Sequence, residues 1–258
     1  MIDFTPILSR ALSTLWWLLP VVIILTALKT RWFKGVVGEA AVKLVAKLRL
    51  PADTYHPVHN VTLPTPDGTT QIDHVFVSRF GIFVLETKNM QGWIFGTEHQ
   101  AQWTQKIYKK SFRFQNPLRQ NYKHVKALES LLGVSVDAIH SVIVFTGQST
   151  FKATMPENVK RGMGYIAYIK SFRTPVFSED DVQNILTEIQ SVRLEPTRAT
   201  NRRHVQQLKA RNDISAARQC PKCASAMVVR TAQRGADAGS QFWGCSAYPT
   251  CRAMHSID

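Results

Sequence analysis

Gln71-Ile72-Asp73-His74-Val75-Phe76-Val77-Ser78-Arg79-Phe80-Gly81-Ile82-Phe83-Val84-Leu85-Glu86-Thr87-Lys88 holds two β-branched and aromatic runs on either side of a short break, each with charge inside or at the end of its apolar stretch. With Arg79-Phe80 as a two-residue hairpin loop, Val77 faces Ile82, Val75 faces Val84 and Asp73 faces Glu86. Directly opposed side chains stand about 5 Å apart at Cβ, and residues two apart share a strand face, so Lys88 joins the two carboxylates. Two such carboxylates repel each other in a half-buried sheet. A divalent cation relieves that repulsion, and Mg²⁺ (or Mn²⁺) suits a site with one or two carboxylates, waters and a substrate phosphate. The alternative for the trio is a structural salt bridge between strands.

Working outward, Val36–Leu50 reads as an amphipathic helix with Val37, Ala41, Leu44, Val45 and Leu48 on its packed face and Pro51 as its stop. His59–Leu63 supplies a first strand before a Pro66-Asp67-Gly68 turn. Short strands at Trp93–Phe95 and Gln102–Tyr108 precede Asn116-Pro117, where Pro suits the first helical position and Leu118, Tyr122, Val125, Leu128, Leu131 and Leu132 recur at helical spacing. Ser141–Phe145 and Tyr165–Ile169 are apolar enough for buried strands. Ser178 with Asp181 marks the cap of a last helix that ends near Val192. Strands interleaved with helices give an α/β domain over 35–195. Residues 196–217 form a basic, helix-prone linker.

Residues 11–28 carry no charge over 18 positions, and Lys29, Arg31 and Lys34 follow them. That length just spans a bilayer, with Trp16, Trp17 and Trp32 available as interfacial anchors. A cleaved signal peptide would carry its basic residues in front of the run, and a buried core helix is the other alternative. The expectation is a single-pass anchor (1–34 with its basic flank) in the cytoplasmic membrane, with the remaining chain on the cytoplasmic side. The protein as a whole is strongly basic, with 32 Lys+Arg against 18 Asp+Glu. From Arg198 onward ten Lys/Arg meet three Asp/Glu, so half of the +14 sits near the C-terminus. A polyanion is the partner such a chain favours, either nucleic acid or an anionic membrane surface.

All four cysteines lie in 218–258, as Cys220-Pro-Lys-Cys223 and Cys245-Ser-Ala-Tyr-Pro-Thr-Cys251. Two pairs at the ends of a loop provide the four thiolates of a tetrahedral Zn²⁺ site, which leaves no open position and is therefore structural. So short a segment needs that metal to fold.

Gly38-Glu39, Gln71–Val75 and Val84-Leu85-Glu86-Thr87-Lys88-Asn89 followed by Gly92 resemble the nuclease-related domain of the PD-(D/E)XK nuclease superfamily. The resemblance implies a restriction-endonuclease-like mixed sheet flanked by helices. It also implies Asp73 and Glu86 as Mg²⁺ ligands, Lys88 as the group that positions water, Glu39 as an auxiliary acid and Gln120 as a supporting polar residue. The Cys220–Arg252 segment resembles the C-terminal C4 zinc finger of type IA topoisomerases, with Ala224 where that family usually has Gly. That family binds single-stranded DNA. Phe242, Trp243 and Tyr248 are the stacking candidates, and Arg230, Arg234 and Arg252 the phosphate contacts. A core role for some of these aromatics is the alternative.

Two functions from different classes follow. One is a membrane-anchored, metal-dependent nuclease that cuts DNA with the ribbon presenting a strand. The other is a non-catalytic tether that holds DNA at the membrane. Stacking and phosphate contacts do not separate DNA from RNA, so RNA also fits the ribbon.

Overall fold

The hairpin at Arg79-Phe80 forms in the expected register: Val77 pairs with Ile82, Val75 with Val84 and His74 with Leu85. The computed structural model describes residues 16, 18–65, 68–212, 217–233, 239 and 241–256. In chain order these form α1 (Leu18–Lys29), α2 (Arg31–Arg49), β1 (His56–Thr65), β2 (Gly68–Ser78), β3 (Gly81–Lys88), β4 (Gly92–Phe95), β5 (Gln102–Ile107) and β6 (Lys110–Gln115). There follow α3 (Pro117–Leu132), β7 (Ile139–Phe145), β8 (Ser149–Phe151), β9 (Val159–Arg161), α4 (Gly164–Ser171), α5 (Glu179–Val192) and α6 (Arg198–Asn212). The C-terminal strands are β10 (Arg218–Gln219), β11 (Ala226–Thr231), β12 (Gln241–Cys245) and β13 (Met254–Ser256).

The main sheet has the order β1-β2-β3-β7-β9. Its first three strands are antiparallel and its last three parallel, which makes it the mixed sheet of an α/β fold. Alternation along β2 and β3 sends Val75, Val77, Ile82 and Val84 to one face, packed by Val125 and Leu128 of α3 and Val182, Ile185 and Ile189 of α5. Phe76, Phe83 and Leu85 go to the other, against Val42 and Ala46 of α2 and Tyr165, Ile166 and Ile169 of α4. A second sheet, β6-β5-β4-β8, shares the core of Ile94, Trp103, Ile143 and Phe145 with the end of β7.

Three expectations are corrected. Tyr165–Ile169 is helix rather than strand: Tyr165, Ile166 and Ile169 fall on one helical face, and the parallel edge is taken by β9 instead. A short apolar run does not separate the two conformations by periodicity. Helix α2 packs through a different face from the one expected, with Val42 and Ala46 buried and Val37, Ala41, Leu44 and Leu48 exposed; of the expected face Val45 alone packs on the core. Small residues face the sheet because the helix approaches closely: a Cβ on Gly38 would stand 2.8 Å from both Asn89 Cβ and Thr146 Oγ1. The basic linker is a docked helix, since Thr69 Oγ1 on β2 lies 2.8 Å from both His204 Nδ1 and Gln207 Oε1 of α6.

Among the described residues no helix is long and apolar enough to cross a membrane. Residues 11–15 and 17 of the expected span, and Pro66-Asp67 of the expected turn, lie outside the described residues. The described part of that span continues into α1, which Thr30 separates from α2 by capping the Phe33 amide.

Candidate active site and zinc ribbon

Asp73 sits at a break in the ladder. The β1–β2 pairing skips from His59–His74 to Val61–Ile72, and the β2–β3 pairing ends at His74–Leu85. Asn60, the residue left across from Asp73, has φ +51°, a left-handed conformation that bends β1 there. Freed from the ladder, Asp73 accepts the Thr87 amide through Oδ2 at 2.9 Å, which fixes its carboxylate beside Glu86 and Lys88.

Glu86 is buried and its two oxygens have unlike surroundings. Lys88 Nζ donates to Oε1 at 2.6 Å and also to Gln120 Oε1 at 2.9 Å. His124 Nε2 stands 3.4 Å from Oε2, and both atoms are left buried without a hydrogen-bond partner. His124 is held by its other nitrogen, 2.8 Å from Thr70 Oγ1. Asn121, next to Gln120 on α3, donates to Val84 O and Ser141 Oγ and clamps the helix across β3 and β7. Thus α3 presents Gln120 to Lys88 and, one turn on, His124 to Glu86.

The electrostatics record three crowded carboxylates. Asp73 is held well above the usual carboxylate range by burial, then by the charge of Glu86 and, more weakly, of Glu39. Glu39 is raised by burial, with Lys43 opposing and Glu86 adding to the rise. Burial also acts to raise Glu86, but Lys88 and His124 together outweigh it and leave Glu86 lowered and ionised. All five expected residues therefore converge, Glu39 included, because the close approach at Gly38 brings the first part of α2 to the ends of β3 and β7. His124 was missed; its signal was the Gln120-x-x-x-His124 spacing on a predicted helix. His74 is a packed residue: its Nδ1 meets His59 Nδ1 at 3.1 Å, and burial with that neighbour lowers its pKa to about 3.

In the C-terminal unit the order is β10-β11-β12-β13. The four cysteine sulfurs lie within 4.8 Å of one another, with Cys220–Cys251 at 3.6 Å and Cys223–Cys245 at 3.4 Å. Among the described residues this is the group arranged to hold a metal by three or more such ligands, and four sulfurs at this spacing fit structural zinc. Trp243 is corrected from a stacking face to core: it is 3% exposed and packs with Cys220, Met227 and Cys245. The Arg218 guanidinium covers the Trp243 ring at 4.9 Å. Tyr248 is exposed with Arg230 over its ring at 5.7 Å, Phe242 is half-buried, and Arg252 is exposed. Arg234 lies outside the described residues.

Residues 34–146 match the family model of the nuclease-related domain, and residues 217–258 that of the topoisomerase DNA binding C4 zinc finger. An uncharacterized protein from Bacillus anthracis is 40% identical over 163 residues, covering 63% of this chain and 74% of that protein. The chain carries a nuclease-related domain over residues 34–146. No solved structure matches it. The nuclease-related domain thus contains every residue of the carboxylate–lysine site, from Glu39 to His124, and the zinc finger contains all four cysteines.

Proposed function

We propose that the protein is a metal-dependent nuclease that hydrolyses DNA phosphodiester bonds at the Glu86 site. The observation that carries this reading is Glu86 itself, whose Oε2 is buried without a hydrogen-bond partner while Asp73 and Glu39 crowd it with further carboxylates. A structural salt bridge needs one carboxylate for Lys88, and the excess acid in a buried place is costly unless a cation shares it. The donors are all oxygens, which suits Mg²⁺ or Mn²⁺ held by Asp73 and Glu86. Bound there, such an ion would polarise the phosphate and lower the pKa of a water.

The chain's own groups do the rest. Asp73 is oriented by the Thr87 amide, so the carboxylate needs no rearrangement to bind. Gln120 holds the Lys88 ammonium in place, where it orients the attacking water and offsets charge that builds on the phosphate oxygens as water adds and the ester oxygen leaves. The zinc ribbon binds DNA through Arg230, Arg252, Tyr248 and Phe242, with single strands favoured because exposed bases can stack. The apolar N-terminal segment holds the protein at the cytoplasmic membrane; the exposed Leu19, Val22, Ile23, Ile24 and Leu25 of α1 support that placement.

The test is incubation of the full chain with single- and double-stranded DNA and RNA, with and without Mg²⁺ or Mn²⁺. Metal-dependent cleavage of DNA that disappears in Glu86→Gln is expected. Cleavage undiminished in Glu86→Gln would remove the site from the reading. Recovery of the full chain in the soluble fraction after carbonate extraction would remove the anchor.

A further inference from the structure

The β6-β5-β4-β8 sheet has two faces of different character. Ile94 and Trp103 turn inward and are fully buried against Phe145. The alternation that buries them sends Trp93 and Phe95 outward, where they are 47% and 38% exposed. The register then builds rows across the outer face: Trp93 lies between Thr150 and Lys106, and Phe95 lies beside Thr104, which lies beside Arg113. Lys152 and Lys106 approach the Trp93 ring at 4.7 and 5.9 Å. At the β5–β6 tip Tyr108 is 95% exposed at φ +51°, a conformation a bulky residue seldom adopts, and Lys109 and Lys110 follow it.

None of β4, β5, β6 and β8 contains Asp or Glu. Among the described residues Lys106, Lys109, Lys110, Arg113 and Lys152 form no ion pair with a carboxylate. Their positive charge therefore stands uncompensated around exposed aromatic rings. A lipid leaflet would call for continuous apolar surface, whereas here the aromatics alternate with Thr, Ser and Lys. Aromatic faces interleaved with unpaired cations match a strand whose bases stack and whose phosphates meet lysine and arginine.

We propose that this outer face is a second nucleic-acid surface, on the nuclease-related domain itself, which takes single-stranded DNA by stacking a base on Trp93 and meeting phosphates with Lys106, Lys152 and Arg113. Rested on the nuclease reading, its use is to deliver a strand to Glu86. Three residues separate Lys88 from β4, and Leu118 packs under the sheet two residues before Gln120. The platform thus follows the strand of Glu86 and Lys88 directly in the chain and packs on the helix that carries Gln120.

The experiment uses the full chain carrying Glu86→Gln, a fluorescein-labelled 20-nucleotide oligodeoxythymidine, no divalent ion, and anisotropy over a salt series. Trp93→Ala should weaken binding by about five- to a hundredfold, with much of the loss restored by Trp93→Phe. Lys106→Ala with Lys152→Ala should lower the salt slope by about 1.4. Unchanged affinity and slope in both would overturn the proposal, as would a Trp93→Ala loss confined to phosphatidylglycerol vesicles or oligouridylate. Should Trp93→Ala fail to fold, iododeoxyuridine crosslinking of the intact chain decides: label in 92–113 supports the platform, and label confined to the ribbon overturns it. A wild-type chain that cuts nothing yet crosslinks at 92–113 sinks the nuclease reading alone. A chain that cuts DNA but shows no such crosslink sinks the platform alone.

Discussion

The nuclease-related domain and the zinc ribbon solve the problem of holding charged or reactive groups in opposite ways. In the first, a core of Val75, Val84, Leu128, Ile189 and their neighbours exists independently of the site, and Asp73, Glu86 and Lys88 are an expense laid on top of it. In the second, Cys220 and Cys245 are themselves part of the small core, with Trp243, Met227 and Ala253 packed around them, Cys251 beside them and Cys223 at the surface. Site residues can thus be altered in the larger unit without unfolding it, whereas in the ribbon the ligands and the fold are one object.

The largest expected effect lies on the ribbon side. Cys223→Ser, or chelation of the zinc, removes a metal contribution on the order of 10 kcal/mol and should unfold 217–256 while leaving the melting of the larger domain in place. Metal content by elemental analysis and the tryptophan signal of Trp243 would report it. A ribbon that stays folded without zinc would break the comparison.

Next in size is the site. Lys88→Ala should slow cleavage by about a hundredfold or more and leave metal binding largely intact, because the work proposed for it is on water and phosphate charge. The domain should still fold but melt somewhat lower, since buried Glu86 loses the cation that does most to hold it ionised. A lowered melting temperature with unaltered cleavage would instead make the Lys88–Glu86 contact a structural bridge.

A smaller effect tests the sign of the carboxylate crowding. Asp73, with its pKa raised by burial and by Glu86, binds its proton more tightly folded than unfolded. In the window between the ordinary Asp value and the raised one, the folded state holds more protons, so stability falls as pH rises. Asp73→Asn keeps an acceptor for the Thr87 amide and removes this penalty. In divalent-free buffer it should melt higher than the parent at pH 8, with the difference shrinking toward pH 4. A lower melting temperature at pH 8 would make the Asp73 carboxylate a net favourable partner in the fold.

The two units also differed in how far they could be read beforehand. The β2–β3 hairpin was legible because a two-residue loop and alternating apolar residues fix one register, and the capping box at Ser178 and Asp181 announced α5 in the same local terms. What failed depended on partners distant in sequence. The packed face of α2 is set by how near Asn89 and Thr146 come to Gly38, and nothing within 31–49 records that distance. His124 joins the site only because α3 crosses β3 at Glu86. Trp243 became core because the small ribbon needed a large side chain inside, which composition alone does not assign to one aromatic among three.

The smallest expected effect tests the ribbon at the knuckle closed by Ala224. Ala224 follows the second cysteine with φ +59°, its amide donating to Cys220 O at 2.8 Å, while the Cys220 amide donates to Ser225 O at 2.7 Å. This left-handed position closes the Cys220–Cys223 knuckle, and a Cβ there costs about 1–2 kcal/mol relative to glycine. Glycine loses part of that advantage, about 0.5–1 kcal/mol, through the greater freedom of its unfolded chain. Ala224→Gly should therefore stabilise the zinc-bound ribbon by up to roughly 1 kcal/mol, and Ala224→Val should destabilise it. Competition against a zinc chelator reads the difference directly, because ribbon folding and metal affinity are one equilibrium. A chelator midpoint unmoved by Ala224→Gly would show that the four thiolates dominate the knuckle so fully that its backbone conformation adds nothing measurable. The same substitution should leave DNA cleavage chemistry at Glu86 untouched, since the strain it relieves belongs to the metal-held unit alone.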